Sequence, residues 1–79
     1  MKDLLEFIVK GISEDSSKVS ISEQKEEGLD SYTIFVAEKE IGKIIGKGGK
    51  VIKAIRTLVK LKAIKDGSRV RLNSVEAAT

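Results

Sequence analysis

Cysteine and histidine are absent from the 79 residues, which removes disulfide stapling, thiol chemistry, the commonest metal ligand and the usual general base together. Aromatics are nearly absent too. Phe7, Tyr32 and Phe35 cannot furnish the stacking platform on which several folds hold single-stranded nucleic acid, so they are read as core or interface side chains. No apolar run approaches the roughly 18 residues that span a bilayer, and Asp3 and Glu6 stand where a secretory signal would be basic and then apolar. The expected setting is cytoplasmic, without membrane contact. The acids Asp3, Glu6, Glu38, Glu40 and Asp66 form no recognisable acid/base pair, and no nucleophile stands beside a base. Neither catalysis nor a cofactor, a metal or a small-molecule substrate is expected.

The chain has room for one domain, and one this short buries a modest fraction of its surface. Self-association is therefore plausible, the more so if Phe35 lies on an apolar second sheet face. The net charge of +3 conceals an asymmetry. From Met1 to Asp30, 4 Lys stand against 8 Asp and Glu, net −4, whereas Lys39 to Lys65 holds 9 Lys and Arg against Glu40 alone, net +8. A basic block of this kind suits a polyanion. For the distal Lys62 and Lys65, a solubilising role is the simpler reading.

The core of the basic block is Ile41-Gly42-Lys43-Ile44-Ile45-Gly46-Lys47-Gly48-Gly49-Lys50-Val51-Ile52, a Gly-Lys-Gly-Gly turn between two helical patterns. Glycines let the chain reverse and bring main-chain amides close to a ligand, and Lys47 adds a positive charge. Two other phosphate-binding motifs fail on spacing. Gly42 is only four positions before Gly46, and Gly48 follows Lys47 where a P-loop needs Ser or Thr. A dinucleotide fingerprint starting at Gly46 would need glycine at Val51, and a strand before the loop rather than a helix.

Leu4, Leu5, Ile8 and Ile12 recur at helical spacing, with Asp3 and Glu6 as a capping pair and Gly11 as the stop. Val19 and Ile21 alternate with polar residues in a half-buried edge strand. Lys25 to Asp30 reads as a turn into Tyr32–Ala37, apolar enough for a central strand of a hairpin. Ile41, Ile44 and Ile45 share one face of a short helix. A longer one is predicted from Lys50 to about Ile64, with Val51, Ile52, Ile55, Leu58 and Val59 on one side and Lys50, Lys53, Arg56 and Lys60 on the other. Asp66-Gly67 marks a turn, Arg69 to Leu72 a last short strand, and Ser74 to Thr79 a flexible tail.

Gly46-Lys47-Gly48-Gly49, between Ile44-Ile45 and Val51-Ile52, resembles the Gly-X-X-Gly signature of KH domains, whose loop clamps about four nucleotides of single-stranded backbone. The element order resembles the type II arrangement over nearly the whole chain: an α+β fold, α-β-β-α-α-β, with a three-stranded sheet and helices on one face, as a domain over 1–73 and a tail over 74–79. Length and organisation are similar to the small stand-alone bacterial KH proteins of the KhpA type, although the turn from Asp66 to Ser68 is short for the family's variable loop. The resemblance implies a groove floored by Gly42, Ile45 and Ile52, with a strand as its far wall. Its phosphate contacts would come from Lys43, Gly46, Lys47, Gly48, Gly49, Lys50, Lys53 and Arg56, and Arg69 or Arg71 would reach toward bases.

The resemblance also implies a single-stranded RNA binder of low selectivity acting as an RNA chaperone, as a homodimer or with a second KH-containing, KhpB-like protein, with an influence on cell elongation and envelope homeostasis. The alternative is an assembly subunit whose fold makes protein contacts while its partner reads RNA.

Overall fold

A computed structural model describes residues 1–78. Helix α1 (Lys2–Ile12) is followed by strands β1 (Ser20–Glu26) and β2 (Leu29–Val36), helices α2 (Ile41–Ile45) and α3 (Lys50–Asp66), and strand β3 (Arg69–Ala77). The predicted α-β-β-α-α-β order and three-stranded sheet are both present.

The sheet order is β1-β2-β3, with β2 central. Its first pair is antiparallel because Glu27 and Gly28 both adopt positive φ, 38° and 83°, the backbone of the two-residue turn whose twist matches paired strands. The second pair is parallel, with Tyr32 opposite Leu72 and Val36 opposite Ala77. Parallel pairing needs a crossover connection; α2 and α3 supply it, so the Gly-rich loop between them stands at the end of the sheet where β2 leaves.

Even-numbered residues of β2, Tyr32, Ile34 and Val36, point under the helices and are buried with Ile21 and Leu72 from the flanking strands. They meet Leu5 and Val9 of α1, Ile44 of α2, and Ile52, Ile55 and Val59 of α3 in one continuous core. Each such side chain contributes about 1.5–3 kcal/mol on burial. Tyr32 joins this layer because its hydroxyl donates to Glu23 Oε2 at 2.6 Å; burial first, then that carboxylate, push the phenol's pKa up, so it stays protonated.

Several expectations are corrected. Gly11 does not stop α1; it lies in the last turn with ordinary negative φ, because a glycine ends a helix only when the chain needs a left-handed residue there. That geometry occurs after α3, where Gly67 takes φ 69° and the Gly67 and Ser68 N–H groups donate to Ile64 and Ala63 carbonyls. Asp3 sits in the first turn of α1, but no side chain caps the helix. The second sheet face is not apolar: by alternation Ser20, Ser22, Gln24, Thr33, Arg71 and Asn73 accompany Phe35 on it, and Asn73 Nδ2 donates to Thr33 Oγ1.

The expected tail from Ser74 is also wrong through residue 77. Strand β3 continues to Ala77, and the Ala78 N–H donates to the Val36 carbonyl at 2.7 Å. Main-chain ladders hold this segment, so its small polar side chains gave no strand signal. Thr79 lies outside the described residues.

Candidate nucleic-acid interface

Three glycines build the loop, each for a different reason. Gly46 ends α2 at φ 77°, ψ 169°, a region essentially closed to other residues. A Cβ there would also lie 2.9 Å from both Cβ and N of Val51, so its bare α-carbon lets α3 start against the end of α2. Gly48 and Gly49 are left-handed, at φ 64° and 77°. Nothing lies within 4 Å of where a Cβ of Gly48 would project, so that side of the loop is open to an incoming chain. The Gly49 N–H donates to the Gly46 carbonyl at 3.0 Å and closes the turn.

Helix α3 opens directly from Gly49 without a side-chain cap. Its first-turn N–H groups and positive dipole end therefore face the loop's surroundings, a favourable place for a phosphate oxygen. Lys47 and Lys50 are exposed on either side. Three open depressions lie away from the loop, beside Glu26 and Arg69, beside Asp15 and Lys39, and beside Lys60 and Arg71. A projecting loop of this kind suits a polymer backbone better than a small molecule.

The expected groove residues are partly assembled here. Ile45 is 37% exposed next to the loop, whereas Ile52 is 8% exposed and belongs chiefly to the core. Gly42 lies on the exposed surface of α2, again with nothing near a would-be Cβ. Lys53 and Arg56 follow on α3, and Arg56 Nη2 donates to the Asn73 carbonyl at 3.4 Å, placing that flank of α3 beside β3. Lys43 is engaged instead by Glu14 in an ion pair, whose hydrogen bond and charge hold the Glu14 carboxyl below its ordinary pKa. Arg71 stands farther from the loop, opposite Ser31 toward the start of β3.

Two contributors were missed in the sequence. Because β3 is parallel to β2, its second half lies at the loop end of the sheet; Val75 opposite Ile34 and Ala77 opposite Val36 form the strand beside α2. These are the residues read as tail. The other is Glu40, an acid in a basic block that is only 2% exposed. Its carboxylate accepts the Glu14 N–H at 3.2–3.3 Å and the Asp15 N–H at 3.3 Å, tying the α1–β1 connection to the start of α2. These charge-assisted bonds offset the desolvation of a buried carboxylate. Its side-chain partners are main-chain amides, which no residue pattern displays.

A family model described as KhpA/KhpB, KH domain matches residues 2–73. The chain is 41% identical over 70 residues to the RNA-binding protein KhpA of Clostridium acetobutylicum, covering 89% of this chain and 93% of that protein. It is 41% identical over 76 residues to the RNA-binding protein KhpA of Chlamydia trachomatis, covering 96% and 97%, and 33% identical over 76 residues to that of Listeria monocytogenes, covering 96% and 100%. No solved structure matches.

The glycines yield a paired prediction. Gly42→Ala has room and an unstrained backbone, so by helix propensity it should leave stability unchanged or raise it by up to about 1 kcal/mol. If a single strand crosses α2 as expected, it should nevertheless weaken binding of a short oligonucleotide several-fold, by placing a methyl group in its path. Gly46→Ala should cost at least about 2 kcal/mol. Thermal melts and fluorescence anisotropy measure both; undiminished binding by Gly42→Ala would show that the strand does not cross α2.

Proposed function

The chain belongs to the KhpA/KhpB family of KH domains, and on that premise we propose that it is a non-catalytic binder of single-stranded RNA, working as an RNA chaperone and post-transcriptional regulator. The observation that carries this reading is the loop itself: Gly46, Gly48 and Gly49 in glycine-only or left-handed conformations, opening onto an uncapped helix N-terminus. The strand's phosphates rest on the loop and the first turn of α3, with Lys47, Lys50 and Lys53 alongside. Its bases lie on Gly42, Ile45 and the edge of Ile52. Aliphatic contact without stacking gives weak, micromolar and little-selective binding, which suits transient engagement of many RNAs in the cytoplasm.

Partner contact has its own surface. Leu58 and Leu61 of α3 are 50% and 59% exposed, on the side of the helix away from its basic flank. Leu58, expected in the core, lies well off the centre of the arc formed by Ile52, Ile55, Val59 and Ala63. A small domain that leaves such a stripe in water gains by covering it, with a second copy or with a KhpB-like KH protein. This stripe also favours the second reading, an assembly subunit that relies on its partner for RNA. Sedimentation across a concentration series should give a mass rising above 8.6 kDa, and Leu61→Lys should hold it at the monomer. A monomer at all concentrations defeats self-association.

Replacing Lys47 and Gly48 by Asp together should lower affinity for single-stranded RNA more than tenfold. Asp at the left-handed Gly48 costs about 1–2 kcal/mol, so the protein should still fold. The control, Lys62→Asp with Lys65→Asp, changes charge by at least as much at the far end of α3. Equal loss in both variants, with normal circular dichroism, would replace the loop mechanism by diffuse basic attraction and leave the assembly reading in front.

A further inference from the structure

One flank of α3 is basic along its length. At about 100° per residue, Lys53, Arg56 and Lys60 fall within about 60° of one another, and all three are exposed. The Arg56 bond to the Asn73 carbonyl shows that this flank borders β3. At the far end, Lys60, Arg69 and Arg71 line an open depression of about 430 Å³ with Ala63 and Ile64. Arg69 and Arg71 come from the free edge of β3, since β3 has a neighbour on one side only. Among the described residues no carboxylate forms an ion pair with Lys60, Arg69 or Arg71, although Glu26 and Glu27 line the next depression with Arg69. Lys62, on a different side of the helix, is neutralised by Asp66 at 3.3 Å.

We infer that Lys60, Arg69 and Arg71 form a second phosphate-binding point, and that the RNA path runs from the Gly-rich loop along the α3–β3 seam to it. The inference rests on the RNA-binding reading above. From Lys50 to Lys60 the helix advances about 15 Å, which at 3.4 Å per nucleotide of a stacked strand adds about four nucleotides. The contacts there are to sugar-phosphate and not to bases: Lys and Arg at an open depression bind phosphate oxygens of any sequence, and Ile64 and Ala63 offer no groups to read a base edge. The short Asp66–Ser68 connection leaves the depression uncovered, because α3 turns directly into β3 through Gly67.

The test uses tetrauridine and the same tetranucleotide extended at its 5′ or 3′ end by four abasic ribose-phosphate units, which carry charge without bases. Anisotropy titrations over a salt series should show one of the two tails raising affinity about tenfold at low salt and steepening the log–log salt slope by about 2, for three added phosphate contacts. In Lys60→Ala/Arg69→Ala/Arg71→Ala the ratio of tailed to untailed affinity should fall close to one. If neither tail raises affinity, or if the gain survives in the triple variant, the second point does not exist. If instead the Lys47→Asp/Gly48→Asp variant binds bare tetrauridine as well as the native chain does, it is the loop reading that fails.

Discussion

The close approach of α3 to the end of α2 rests on one missing atom. Gly46 holds a backbone conformation that other residues do not reach, and a Cβ on it would collide with Val51. From that joint follow the direction of α3, the uncapped amides at its start, and the projection of Lys47 and Gly48 away from the core. The joint is braced from behind by Ile44, fully buried between the helices and the sheet, and by Glu40, whose buried carboxylate anchors the preceding segment to the α1–β1 connection. The loop is thus held in one conformation, and a ligand bound there would cost little ordering entropy.

Helix α3 divides its labour by angle. Ile52, Ile55, Val59 and Ala63 face the sheet; Lys53, Arg56 and Lys60 face the β3 seam; Leu58 and Leu61 face away from both. A polyanion and a protein partner can therefore occupy the same helix at once. The open face of the sheet, with Ser20, Ser22, Gln24 and Thr33, is polar and offers no apolar area for assembly; only Arg71, at the β3 edge, belongs to the basic surface.

Legibility in the sequence followed the physics of each element. Side-chain periodicity made the cores of α1, α2 and α3 and the central strand readable, and the Gly-Lys-Gly-Gly spacing singled out the loop with both flanking helices. What failed was whatever main-chain atoms decide. Val75 to Ala77 pair through the ladder to β2 and carry no strand pattern, so the end of β3 looked like a tail. Glu40 binds amides of Glu14 and Asp15, so its burial was invisible. Leu58 sits on the margin of an amphipathic arc, where periodicity alone cannot separate a core residue from an interface residue, and the polar face of the sheet depended on a register that only the folded chain defines.

The central claim is that a strand's backbone is held by the loop amides and the first turn of α3. Amide chemical-shift mapping during titration with tetrauridine tests it most directly. The account predicts that the largest perturbations fall on Lys47 through Val51, with smaller ones on Gly42, Ile45 and Val75, while Lys62, Lys65 and the uncovered face of β1 stay in place. Perturbations spread over the lysines of α3, with the amides of Gly48, Gly49 and Lys50 unmoved, would contradict it.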